Sequence, residues 1–124
     1  MTPYVQAWLG AFAFTQAVEM PIWAYALAEH RKLGRGEGRW PFWLCALVGF
    51  GASAITHPVV WFVIPRYAPG GYVAMVLQAE AFAVLVEAGY TGVLGLRRSL
   101  AWSLLANAAS AGLGLLCRWK FGWP

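Results

Sequence analysis

Aspartate is missing from this sequence altogether, and its five acids are all glutamates: Glu19, Glu29, Glu37, Glu80 and Glu87. Charged residues of both signs make up 11% of the chain, against about 25% in an average soluble domain. So few charges cannot clothe a water-facing surface. Cysteine is almost as scarce. Cys45 and Cys117 fall in different apolar segments, and the topology derived below puts them in opposite halves of the molecule, beyond the reach of a disulfide. Both read as small apolar fillers. Nothing resembles a CxxC or HExxH metal site, and no GxSxG nucleophile turn is present. No run of basic residues tracks a nucleic-acid backbone, although the net charge is +4, so no nucleic-acid partner is expected. A cleavable signal peptide is not expected either, because no basic segment precedes the first apolar stretch.

What fills the space is hydrophobic: 60% of the 124 residues. Four apolar segments can be read, at about 4–28, 41–64, 72–96 and 99–117. About 20 helical residues cross some 30 Å of hydrocarbon, and within lipid only helices or closed barrels satisfy the backbone. The chain is too short and too evenly apolar for barrel strands or a soluble core. The fold expected is therefore all-α: a single membrane domain over 1–124, built as an antiparallel four-transmembrane-helix bundle.

The connections support that layout. The stretch "EHRKLGRGEGRW" is polar and glycine-rich, and Pro41 follows it at the next helix start. "PRYAPGG" is a compact turn, and "LRRS" is so short that the segments on either side must lie side by side. Arg31, Lys32, Arg35, Arg39, Arg97 and Arg98 fall on one side, and Arg66, Arg118 and Lys120 on the other. By the positive-inside rule the first side is cytoplasmic, and both termini lie on the non-cytoplasmic face. A bacterial-type cytoplasmic membrane is the expected location. Four short helices make a thin bundle. Its partners are therefore expected to be the lipid bilayer and either further copies of itself or a larger membrane complex.

Against this background a few residues are out of place. An ionisable side chain at the bilayer centre costs about 2.5–3.5 kcal/mol on insertion scales. The apolar segments hold Glu19, His57, Glu80 and Glu87, with Asn107, Thr15, Gln16, Thr56, Gln78, Ser103 and Ser110 as weaker polar groups. At about 1.5 Å per residue, His57, Glu80 and Ser110 share an outer level. Glu19, Glu87 and Asn107 share a deeper one. Glu80 and Glu87 lie almost two turns apart on one helix face, and Ser103, Asn107 and Ser110 share another. Pro21 and Pro58 lie inside their segments, beside Glu19 and His57, where each removes a backbone donor and loosens a turn. The small residues of "NAASAGLG" suit close helix packing.

These groups support several readings. His57 and Glu80 are the best available metal ligands, with one imidazole and one carboxylate. Glu87, about 10 Å further along the helix axis, is too distant to share the same ion, and no cofactor motif is readable. Ser110 with His57 could in principle be a nucleophile and base, but "AASAG" supplies no oxyanion hole. The leading expectation is a small polytopic membrane protein that binds or relays a proton or cation. Its relay residues would be Glu19, His57, Glu80, Glu87 and Asn107, with Thr56, Pro58, Ser110 and Gln16 in support. In that arrangement Glu80 and His57 form the outer part, Glu19 and Glu87 the inner part, and Asn107 orients one of the inner carboxyls. One alternative is an accessory subunit whose polar groups only fix helix register. The other is an intramembrane enzyme using His57 and the glutamates as acid and base.

Overall fold

The computed structural model describes residues 1–123. Four long helices, α1 (Pro3–His30), α2 (Phe42–Phe62), α4 (Gly71–Val93) and α5 (Ser99–Phe121), and one single-turn helix, α3 (Ile64–Tyr67), make up the regular structure. Thr2 starts α1: its hydroxyl accepts from the Val5 amide at 3.3 Å, and Pro3 follows where its missing N–H costs nothing. Pro21 and Pro58 lie within α1 and α2, and both helices continue through them. Gly70, at φ 97°, turns the chain into α4 through a conformation that L side chains avoid. The helix limits lie within a few residues of those read from the sequence, and the largest change is at α5, which runs on to Phe121.

Three of these elements are long and apolar enough to cross a membrane: α2 with α3 over Phe42–Tyr67, then α4 and α5. Four such helices are expected from the sequence. The longest helix, α1, has the length at 28 residues, but Gln6, Thr15, Gln16, Glu19 and Pro21 dilute its apolar content.

The long helices form a ring in which α1 and α4 each pack against both α2 and α5, so α1 faces α4 across a diagonal and α2 faces α5. Three hydrogen bonds, at the two ends of the ring, fix directions. The Tyr4 hydroxyl donates to the Trp61 carbonyl, joining the start of α1 to the end of α2. At the far end the Lys32 amide donates to the Gly95 carbonyl at 2.7 Å and the Arg97 amide to the His30 carbonyl at 3.1 Å. These bonds stitch the end of α1 to the α4–α5 turn. The 31–41 loop is held by an Arg31–Glu37 ion pair and by the Arg31 guanidinium lying 3.8 Å above the Trp40 ring.

Packing is close and apolar in one half of the ring. Trp23, Ala24, Ala26, Leu27, Cys45, Ala52, Leu96 and Ala106 form a continuous apolar cluster. Gly49 makes that contact possible, since a Cβ there would lie 2.7 Å from the Trp23 Cβ. The distribution of side chains is inverted relative to a soluble protein. Among the described residues ten polar side chains are buried beside eleven apolar ones, while Phe42, Trp43, Leu77, Leu85, Leu115 and Leu116 stand exposed. Such an apolar exterior is unstable in water and suited to lipid. Cys45 and Cys117 are both free thiols.

Candidate functional site

Glu19 of α1 and Glu87 of α4 sit on diagonally opposed helices, each only 1% exposed. Each carboxyl is held at both oxygens by the other two helices. For Glu19, Ser53 of α2 donates to Oε2 and Ser110 of α5 donates to Oε1. For Glu87, Thr56 of α2 donates to Oε1 at 2.7 Å and Asn107 of α5 donates to Oε2 at 2.8 Å. The donors come in pairs three residues apart, Ser53/Thr56 and Asn107/Ser110, and that spacing puts each pair on one helix face. Thus α2 and α5, which lie across the ring from one another, each reach both carboxyls. The donors are themselves anchored. The second Asn107 amide hydrogen goes to the Ser103 carbonyl at 3.0 Å, and the Ser103 hydroxyl donates to the Val84 carbonyl at 2.7 Å.

A cavity of about 220 Å³ opens beside this pair. Its wall includes Glu19, Thr56, His57, Glu80, Glu87, Asn107 and Ser110, with Trp61 and Arg118 further out. The lining runs from the helix ends nearest the chain termini, at Trp61 and Arg118, to just past the helix midpoints at Glu19, Glu87 and Asn107, and takes in none of the Trp23–Leu27 cluster. The cavity therefore approaches the carboxyl pair from one end of the molecule and stops there. It has room for several water molecules, and its polar groups would hold them.

Each residue singled out from the sequence has a definite place. Glu80 lines the cavity, half-buried, and among the described residues no side chain or backbone group bonds it. His57 does not pair with Glu80. Its ring lies between Trp61 (6.1 Å, stacked), Phe12 (5.2 Å) and Trp8 (6.4 Å), with Nε2 3.5 Å from the Thr15 hydroxyl. Its Nδ1 is buried with no partner among the described residues. Asn107 orients Glu87. Ser110 reaches past its expected outer level to Glu19, because α5 brings it opposite α1. Gln16 does not line the cavity; its amide donates to the Phe50 carbonyl at 3.1 Å and ties α1 to α2. Pro58 follows His57 in α2, outside the cavity lining.

Ser53 was missed as a site residue. Small and set among alanines, it looks like packing, but its three-residue spacing from Thr56 repeats that of Asn107 and Ser110. Among the described residues no three of His, Cys, Asp or Glu come close enough to hold a metal ion together. His57 and Glu80 share the cavity but form no such centre. No family model, curated protein or solved structure matches this chain.

Proposed function

We propose that this chain is an integral membrane protein that spans the bilayer with its four long helices. Its Glu19–Glu87 pair takes protons from the cavity and passes them on. The observation that carries this reading is that three of the four groups clasping the carboxyls are hydroxyls, and two of those have a second acceptor at hand. Thr56 Oγ1 lies 3.3 Å from the Ser53 carbonyl, and Ser110 Oγ lies 3.2 Å from the Asn107 carbonyl. A hydroxyl can donate or accept as its hydrogen rotates. With Glu87 ionised, Thr56 donates to Oε1. With a proton on Oε1, Thr56 accepts it in a hydrogen bond and turns its own hydrogen to the Ser53 carbonyl. Ser110 does the same for Glu19. Both protonation states thus keep their hydrogen bonds without moving a helix, which is what a group that gains and loses a proton in a buried place requires.

Glu80, unbonded on the cavity wall, is placed to exchange protons between cavity water and the inner pair. His57 forms part of the same wall. Arg118 at the outer end gives that end a positive charge that disfavours entry of metal cations. A proton travelling through water is less affected, since it moves by transfer between hydrogen-bonded partners.

Proteoliposomes carrying a pH-sensitive dye and an imposed potential test the reading. The protein should accelerate proton entry over empty vesicles, and Glu19→Gln and Glu87→Gln should each abolish the gain while remaining folded. Flux equal to that of empty vesicles overturns it. The same four-way clasp also favours a second reading, in which the carboxyls only tie helices together in an accessory subunit. That reading expects no flux and a stoichiometric partner recovered in mild detergent.

A further inference from the structure

The end of the molecule opposite the cavity mouth has a second hollow, of about 490 Å³, lined by His30, Arg97, Arg98, Ala101, Trp102 and Leu105. Its frame is covalent and hydrogen-bonded. The Arg97 amide bonds the His30 carbonyl, and the adjoining Lys32–Gly95 bond holds the end of α1 against the α4–α5 turn. Arg98 adopts φ 53°, the one non-glycine residue at positive φ among the described residues. This unusual conformation turns the chain sharply into α5 and leaves two arginines at one rim.

Among the described residues neither arginine has a carboxylate partner. The two glutamates at this end are taken, Glu37 by Arg31 and Glu29 by Arg39. Beside them α5 starts without a side-chain cap, so its first amides add to the positive potential. Below the arginines the α5 side of the hollow is apolar, with the His30 imidazole of α1 against it. The Trp102 ring lies 5.2 Å from His30 and 5.9 Å from Tyr25, and exposed Leu105 continues the strip one turn along α5.

A cationic rim above an apolar, aromatic wall fits an amphiphile with an anionic head. We propose that this hollow binds the phosphate of an anionic phospholipid, with the glycerol and the first acyl carbons against Trp102 and Leu105. A free anion would leave the apolar wall unused, and a zwitterionic lipid would bring its own cation against Arg97 and Arg98. The site is separate from the carboxyl cavity and does not depend on proton transfer there. It shares only the premise that the protein lies in a bilayer.

Native mass spectrometry of the whole protein in mild detergent, titrated with phosphatidylglycerol or phosphatidylcholine of the same chains, reads the preference. Two rim cations at about 1 kcal/mol each correspond to about a thirtyfold preference for the anionic lipid. Arg97→Gln with Arg98→Gln should remove that preference. Lys32→Gln with Arg35→Gln, which deletes two charges that have no carboxylate partner among the described residues, at the same end but outside the hollow, should leave most of it. Equal binding of the two lipids by the wild type overturns the proposal, as does equal loss in both double variants, which would mean diffuse charge only. Displacement of the lipid by millimolar glycerol phosphate would reduce the site to a free-phosphate site and overturn the lipid assignment. The lipid comparison and the competition use the wild type alone, so they decide the matter even if the Arg98 variant fails to fold.

Discussion

Replacing Thr56 by valine isolates one bond of the carboxyl clasp. Valine keeps the branched Cβ and the stiff χ1 that suit this helix position, so the change is a hydroxyl for a methyl at a site 2% exposed. What is lost is the 2.7 Å donation to Glu87 Oε1. No other donor replaces it, because Asn107 is committed to Oε2 and to the Ser103 carbonyl. An acceptor left unpaired in a protein interior costs about 1–3 kcal/mol. Interhelical side-chain bonds in lipid average about 0.6 kcal/mol and reach about 1.7, because the separated helices also find partners. Glu87 is too deeply buried for cavity water to replace the hydroxyl fully, so the upper part of that range applies, about 1–1.7 kcal/mol. Unfolding of the reconstituted protein at rising mole fractions of dodecyl sulfate, followed by circular dichroism, measures it. A double-mutant cycle with Glu87→Met, similar in length and without acceptors, separates the bond from any packing change. The coupling energy should be at least about 0.6 kcal/mol. A coupling within about 0.3 kcal/mol of zero, the usual additivity error, would mean that Thr56 and Glu87 do not hold each other. The protonation switch built on that contact would then have no basis.

Other substitutions test neighbouring parts of the argument. Gly49→Ala would drive a methyl to 2.7 Å from the Trp23 Cβ, an atom with no freedom to move aside. It should cost about 1–3 kcal/mol in the same unfolding assay, whereas Gly51→Ala meets only the Tyr90 hydroxyl at 2.8 Å and should cost less. His57→Phe keeps the aromatic packing and removes the buried Nδ1, which has no partner among the described residues, together with the long 3.5 Å contact of Nε2 with the Thr15 hydroxyl. Stability should hold or rise by up to about 1 kcal/mol, and a clear loss would show that the imidazole makes a bond of structural weight. Glu80→Gln removes no hydrogen bond and should leave stability within about 0.5 kcal/mol while slowing proton entry into vesicles. Unchanged entry would take Glu80 out of the relay. Gly95→Ala forces a methyl-bearing residue into φ 95° and should cost at least about 1 kcal/mol, seen as faster proteolysis of the 31–41 loop.

The helices were legible because their signal is local. An apolar run some 20 residues long, a Pro or Thr at its start and a glycine-rich loop at its end need no knowledge of neighbours. The misplaced polar residues were legible for the same reason, since the cost of Glu19 or Glu87 in an apolar segment is a property of that segment. Depth counting also placed Glu19, Glu87 and Asn107 together. It failed for Ser110, because a level along an axis says nothing about rotation or about which helix lies opposite. For His57 it gave only a level shared with Glu80; both line the cavity, but the imidazole packs against aromatic rings of α1 and α2 and not against the Glu80 carboxyl. Ser53 was overlooked because a serine in a run of small residues carries no burial cost large enough to notice.

By itself the sequence determined the helical character, the approximate limits of the four long helices and the short list of groups that cannot rest in an apolar setting unpartnered. Those follow from transfer energies and backbone geometry, which each residue carries with it. The tertiary structure decided who pairs with whom. It put α1 diagonal to α4, so that two glutamates distant in sequence share one centre, and it turned Ser53/Thr56 and Asn107/Ser110 inward to occupy all four carboxyl oxygens. Pairing of this kind depends on helix rotation and on which helices are neighbours, and both are fixed only when the whole ring packs.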